Sequence, residues 1–438
     1  MKKRVFAIVL TLATVFALTT NAVLSDDEVT EQVAAVSVET EEAPAAAAEE
    51  QAEVAEEQEE VVSLDAAGTL SFANIGSRMK ESFYPMFAIQ ERIDDIESHD
   101  YEWREDNLRL RIHDIANAQW MMISMDTMGT GIGSMMAQSY QSAYDAFRDE
   151  FDAVRDGTKQ KDDENALWEF HDAQNQAIVA AESLYIMIQD YNAQDTSLQR
   201  SIAKLDRTVE EMELRNQLGQ VSALDVQQVK LARVQAISGQ QTLRTGIETM
   251  LLQMKSMVGA ELGEPLTLGA LPKVTQEQLA AMDLDKDLAQ AMERSYSLFD
   301  ARQQILDFRR GTLHDVTDQF GTNEKIFEVS QVQHALKAME YNYDNTELTY
   351  ELNFRSLYAQ VKDAAQVLEA KRAALGSQEK SYAVSALKYE QGSISANALA
   401  DAKDDLASAK DDVATAERDL FSKYHTYQWA VEYGILNS

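Results

Sequence analysis

Metal binding and acid–base catalysis are the first chemistries to weigh, because the chain offers six histidines, 74 carboxylates and a methionine cluster. The histidines (His99, His113, His171, His314, His334 and His425) never fall in an HExxH or comparable ligand spacing, so none share a helix face as zinc ligands would. The absence of cysteine excludes disulfides, zinc–thiolate sites and thiol catalysis. No GxSxG elbow is present, and Gly129-Thr-Gly-Ile-Gly133 is not a dinucleotide fingerprint and follows no strand pattern. Met121, Met122, Met125, Met128, Met135 and Met136 surround those glycines. Converging thioethers would suit a soft metal such as copper, but an adaptable apolar elbow is the better reading of six unbranched side chains among glycines. The adjacent acids Asp404-Asp405 and Asp411-Asp412 fit a solvated helix face rather than a general acid–base pair. The expectation is a protein with no enzymatic activity, no metal and no cofactor.

A more informative spacing is a repeated ten-residue pattern. Leu214-Arg-Asn-Gln-Leu-Gly-Gln-Val-Ser-Ala223 matches Leu387-Lys-Tyr-Glu-Gln-Gly-Ser-Ile-Ser-Ala396 at an offset of 173. Glycine suits the left-handed residue that ends a helix, and serine suits the N-cap of the next. The pattern predicts two tight helical-hairpin tips, with Gly219 and Gly392 ending one rod and Ser222 and Ser395 starting its return. The residues at and beside the first tip are Leu214, Arg215, Gly219, Val221, Ser222, Ala223 and Asp225. At the second they are Leu387, Lys388, Gly392, Ile394, Ser395 and Ala396. Arg215 and Lys388 are basic on an acidic molecule, as a docking or inter-protomer ion pair requires.

Long rods must carry these tips. No proline lies between Met86 and Glu264 or after Lys273. Apolar residues recur at steps of three and four through Leu184, Ile188, Tyr191, Leu198, Ile202, Leu205, Val209 and Met212. Similar series run from Val226 to Met257, from Val361 to Tyr389 and from Leu399 to Val431. A mean spacing near 3.5 is the coiled-coil period. A second match joins Met79-x2-Ser82-Phe83 to Met292-x2-Ser295-Tyr296 at an offset of 213. The chain therefore reads as all-α and as a tandem repeat of long antiparallel helical hairpins, residues 64–276 and 277–438. The two offsets differ by 40, which predicts about 40 extra residues in the first repeat, between Met125 and Asn165.

Composition agrees. Only four prolines and 17 glycines occur in 438 residues, where average usage would supply roughly twenty prolines. Large sheet proteins need more turn residues than this. A net charge of −35 opposes nucleic-acid binding, which needs clustered cations. Lys2, Lys3 and Arg4 precede an apolar run from Val5 to Leu18 and a small-residue stretch ending at Ala22, the order of a secretory signal peptide at 1–22. An uncleaved anchor is the alternative, and either places the body outside the cytoplasmic membrane. Residues 23–63 hold 14 Asp/Glu and no Lys or Arg, and read as a disordered tether.

The tips LRNQLGQVSALDV and LKYEQGSISANAL resemble those of the TolC family of outer-membrane efflux proteins, whose tips read basic-x(3–4)-Gly-x-x-[Ser/Thr]-x-x-Asp-Val. LLQMKSMVG, from Leu251 to Gly259, is similar to that family's repeat end, and EPLTLGALPKV, from Glu264 to Val274, falls where the family carries its equatorial linker. The resemblance covers about residues 64–438. It implies a homotrimeric α-barrel whose tips meet a membrane-fusion adaptor and, through it, an inner-membrane pump (ABC or proton-driven), and so an efflux or export conduit of the cell envelope. The family's barrel strands should fall near 122–165 and 312–345. Neither window shows the alternation a membrane strand requires, so the β-barrel is expected to be missing. The alternative is a non-conducting coiled-coil spacer of the envelope.

Overall fold

The computed structural model describes residues 65–436 except 67, 126–130 and 311–322. The signal segment and the whole of the acidic tether lie outside the described residues. The first half opens with strand β1 (Thr69–Leu70), a 3-10 turn (Phe72–Asn74), and helices α1 (Ile75–Ser82) and α2 (Tyr84–Glu97). Helices α3 (Tyr101–Met125), α4 (Ile132–Gln138) and α5 (Gln141–Arg155) follow. Two rods come next, α6 (Thr158–Gln217) and α7 (Ala223–Met257). The second half holds β2 (Thr267–Leu268), α8 (Gln276–Ala281), α9 (Leu284–Arg294) and α10 (Tyr296–Phe308). It ends in rods α11 (Asn323–Glu390) and α12 (Ala396–Tyr433). The fold is all-α, as the sequence predicts. At 1.5 Å per residue the 60-residue α6 and 68-residue α11 run about 90 and 100 Å.

The rods lie side by side in the order α7–α6–α12–α11, leaving α7 and α11 as the two flanks. The two hairpins are α6–α7 and α11–α12. Between them, α6 and α12 meet through a polar ladder. Glu182 faces His425 at 2.8 Å and Asp190 faces Arg418 at 2.5 Å. Arg200 pairs with Asp411, Arg207 with Asp404, and Lys204 reaches Asp401 at 3.6 Å. From Glu182–His425 through Asp190–Arg418 and Arg200–Asp411 to Arg207–Asp404 the partners step up one helix and down the other, as antiparallel rods require. This corrects the solvated-face reading of the paired acids. Asp404 and Asp411 face the neighbouring hairpin, and Asp412 accepts from Lys371 on α11 at 2.8 Å. Asp405 and Asp412 stay exposed.

Apolar burial concentrates at the roots of the rods. One cluster packs Ile75, Met79 and Met86 against Ala181, Leu184, Ile188, Met254 and Val258. The other packs Ala291 and Leu298 against Phe354, Leu357, Val361, Leu368, Leu420 and Tyr427. Ala181, Leu184, Ile188, Ile247 and Met254 are buried, and so are Phe354, Leu357, Val361, Leu420 and Tyr427, each 173 residues on. The short helices obey a different offset from the one read in the sequence. Met79, Met86 and Ile93 correspond in burial to Ala291, Leu298 and Ile305, which are 212 apart, not 213. The Ser82/Ser295 match is one residue out of register, because Ser295 is the extended residue after α9 while Phe83 is the one after α1.

Two tyrosines tie these roots to the backbone. The Tyr185 hydroxyl lies 3.1 Å from the Leu70 carbonyl and 2.8 Å from that of Gly269, and burial pushes its pKa up to about 12. Tyr350 spans the carbonyls of Ala291 and Gly434 at 3.1 and 3.0 Å. The residues read as an equatorial linker supply β2, which pairs in parallel with β1, Thr69 to Thr267 and Leu70 to Leu268. Neither strand was legible in the sequence, since two residues are too few to show a period.

The windows expected to carry barrel strands hold helices and short turns, and no strand, among the described residues. In the first, α3, α4 and α5 form a helical finger with its own small core of Leu108, Phe151 and Val154. In the second, α11 is already helical from Asn323, and residues 312–322 of that window lie outside the described residues. The extra length of the first repeat is this finger. It begins at Tyr101 rather than after Met125, because α3 has no counterpart between α10 and α11 among the described residues. Asp163 anchors its base, accepting from Lys159 at 2.5 Å and from Tyr101 at 3.0 Å and lying 3.0 Å from His99.

One root carboxylate predicts a pH effect. Close to Tyr296, burial pushes Asp172 from 3.8 up to about 6, against a 2.7 Å bond from Gln176. A raised folded pKa means a contribution that is fully present below pH 3.8 and lost as pH rises through 6. Asp172→Asn should therefore raise stability at pH 7.5 by about 1–2 kcal/mol and leave it unchanged below pH 3.8. Urea melts at the two pH values check this, and equal effects at both would sink it.

Candidate functional site: the paired hairpin tips

The first tip is built as its residues dictate. Gly219 takes φ 73° after α6 ends at Gln217. The Gly219 and Gln220 N–H groups donate back to the carbonyls of Asn216 and Arg215 at 2.9 and 2.8 Å, satisfying acceptors that the helix end would otherwise leave open. Asn216 Nδ2 donates to the Val221 carbonyl at 2.9 Å. Ser222 then caps α7. Its Oγ accepts from the Asp225 N–H at 3.2 Å, while the Asp225 carboxylate accepts from the Ser222 N–H at 3.0 Å and hydroxyl at 2.8 Å. This reciprocal box fixes the return angle. The Ser222 hydrogen bonds hold the Asp225 pKa below its ordinary value.

The second tip repeats the turn. Gly392 takes φ 70°, and the Gly392 and Ser393 N–H groups donate to Tyr389 and Lys388 at 2.8 Å each. Ser395 Oγ accepts from the Ala398 N–H at 3.2 Å. Ala398 stands where the first tip has Asp225, so the cap here is one-sided. The glycine and serine assignments at both tips hold in the structure.

The tips sit side by side. Asn397 Nδ2 reaches Glu211 at 3.4 Å, just above the ladder that joins α6 to α12. Leu214, Leu218, Leu224 and Leu387 are exposed there, with Arg215, Ala223, Lys388 and Ala396. Val221, Asp225 and Ile394 are half-buried. Arg215 pairs with Glu211 on its own helix at 2.5 Å, and Lys230 on α7 reaches Glu213 at 2.6 Å. The tip surface thus offers exposed leucines beside charged groups, a surface suited to binding rather than to bond-making.

Two features were missed from the sequence. One is the ladder itself, since residues 200, 204 and 207 show complementary charge only once 401, 404 and 411 are known to face them. The other is a knot at the rod roots. Glu182 is buried, 2.8 Å from His425 Nε2, and accepts from Trp429 Nε1–H at 2.8 Å. Phe72 packs edge-on to His425, Phe421 and Tyr185. The knot ties the first hairpin's cap to the second hairpin's last helix.

The flanks differ from the inner rods. Leu231, Val234, Ile237 and Leu252 on α7 are exposed, as are Leu348, Leu352, Val367 and Val384 on α11. Among the described residues of α12, no large apolar side chain is exposed. The apolar surplus of the rods lies on their two outer edges.

No protein-family model matches the sequence, and no curated protein does. Among solved structures, the chain is similar to a membrane protein from Pseudomonas aeruginosa, at 11% identity and a TM-score of 0.48, over 81% of this chain and 90% of that one. It is similar to the outer-membrane channel OprN at 12% identity and a TM-score of 0.48, over 83% of this chain and 90% of the other. A third likeness is to CusC, in a structure that reports transmembrane channel formation, at 11% identity and a TM-score of 0.43, over 82% of this chain and 99% of that one.

Proposed function

We propose that this protein is an extracytoplasmic component of an efflux or export conduit in the cell envelope, a duplicated hairpin protein that closes as a homotrimer. The observation that carries the reading is the arrangement of the four rods: two equivalent tips at one end, a polar ladder between hairpins, and apolar surplus on both outer edges. A row of helices with two sticky edges satisfies both by joining edge to edge, and repetition of one such contact closes a ring. The α7 flank of one copy then meets the α11 flank of the next. The tips, alike in backbone and carrying Arg215 and Lys388, present a repeated surface to a membrane-fusion adaptor, which would link the conduit to an inner-membrane pump. Ion pairs at exposed tips contribute only about 0–1 kcal/mol each, so the basic pair selects the partner and the exposed leucines hold it.

Charge reversal at both tips (Arg215→Glu with Lys388→Glu) should lower capture of the cognate adaptor and drug export in the native host at least tenfold. Melting temperature and oligomer size should stay as they are, because neither side chain is buried. A second reading has a specific observation behind it: the windows expected to carry barrel strands hold helices and short turns, and no strand, among the described residues. In that reading the protein is a non-conducting coiled-coil spacer of the envelope, and the doubly reversed variant behaves as wild type in both assays.

A further inference from the structure

The finger formed by α3, α4 and α5 is inside out at its far end. Gln119 points inward, its Nε2 donating to the Ala137 carbonyl at 3.4 Å and to Gln141 Oε1 at 3.2 Å, and Ala137 is buried. Six large apolar side chains point outward. Trp120 is 72% exposed and Met135 73%, with Met121, Ile123, Ile132 and Met136 exposed beside them. A water-facing helical hairpin places these residue types the other way round. The charge pattern changes along the same finger. Its base is laced with ions, including Arg104 to Glu150 at 2.5 Å and Arg148 to Asp152 at 3.0 Å. From Ile115 to Tyr144 the sequence holds a single charged residue, Asp126, in a chain that is 26% charged overall.

We infer that the end of this finger is a lipid-docking element that seats in the interface of a neutral, zwitterionic bilayer. Charge decides between surfaces: a chain of net charge −35 is repelled by anionic headgroups, while an uncharged apolar island meets no such barrier on zwitterionic lipid. Residue type agrees. Trp120 and Tyr140 each combine an apolar ring with one polar hydrogen, the pairing that favours the boundary between acyl chains and water. No described helix is long and apolar enough to cross a membrane, so the contact is seating, not spanning. The inference is independent of the conduit reading, since a spacer would use the same contact.

The absence of cysteine from the chain makes a local test direct. A single Met135→Cys in the full chain carries a polarity-sensitive fluorophore, with Ser408→Cys on exposed α12 as the control position. With phosphatidylcholine vesicles, the label at 135 should shift to shorter wavelength and brighten several-fold, persist at 1 M salt, and be quenched by spin-labelled lipid. The label at 408 should not respond. The N-terminal apolar run brings both labels to the vesicle equally, so the difference reports the finger. Adding Trp120→Glu and Met136→Glu should cut the response at least tenfold with no change in melting temperature. An unresponsive label at 135, or a response abolished by salt, would overturn the inference. So would a shift that needs no vesicles and grows with protein concentration, which would assign the patch to a second copy.

Discussion

Alanine at Gly434 should destabilise the protein by about 3–5 kcal/mol, and alanine at Gly392 by only about 1–2 kcal/mol. Both glycines end a rod with a left-handed residue, at φ 69° and 70°, so an intrinsic backbone penalty is common to both. What differs is the space. A Cβ on Gly434 would lie 2.4 Å from both the N and Cα of Ser295 and 2.5 Å from the Arg294 carbonyl carbon, all backbone. No rotamer change relieves that overlap, and the α9–α10 junction must move off its seat on α12. At Gly392 nothing lies within 4 Å. The first repeat predicts the same contrast. Gly259 would drive a Cβ to 2.3 Å from Ser82 Cβ, while Gly219 is open. Urea denaturation of the four alanine variants separates the two classes. Equal losses at all four would mean that left-handed backbone alone, and not root packing, sets the cost.

A glutamate on each flank, Leu231→Glu with Val384→Glu, should abolish the proposed trimer while leaving the protomer folded. Both side chains are exposed in one copy, so a protomer on its own tolerates the charge. In a closed ring each would enter a contact between copies, six unpaired carboxylates for three protomers, and burying an unpaired charge costs several kcal/mol. Multi-angle light scattering should show the variant at protomer mass under conditions where the wild type is trimeric, with circular dichroism unchanged. The control is Ser408→Glu on α12, which should keep the trimer. A wild-type protein that is monomeric, or a doubly substituted one that stays trimeric, removes the flank-to-flank ring.

Much of this molecule is written in local sequence. The rods follow from a 3.5-residue apolar period and the near-absence of proline, both of which act within a single turn of helix. The tips follow from glycine and serine three residues apart, because the left-handed stop and the N-cap are each decided by a few neighbouring atoms. The offset of 173 is visible because those local signals occur twice, and burial respects it at Ala181 and Phe354, Leu184 and Leu357, and Ile188 and Val361.

What the sequence by itself determined is therefore the long rods, their two tip turns and the absence of strand alternation where barrel strands were sought. Tertiary structure alone decided which faces meet. Asp404 and Asp411 read as solvated until α6 brings Arg207 and Arg200 opposite them, since a carboxylate's partner nearly 200 residues away leaves no periodic trace. The register of the short helices slipped by one residue for the same reason. A serine in the sequence looks alike on either side of a helix end, and only packing against Gly434 shows that Ser295 lies beyond it. The pairing of Thr69–Leu70 with Thr267–Leu268 and the outward turn of Trp120 and Met135 belong to the same class. Each depends on what stands across from a residue, and that is set by the assembled rods rather than by the chain on either side of it.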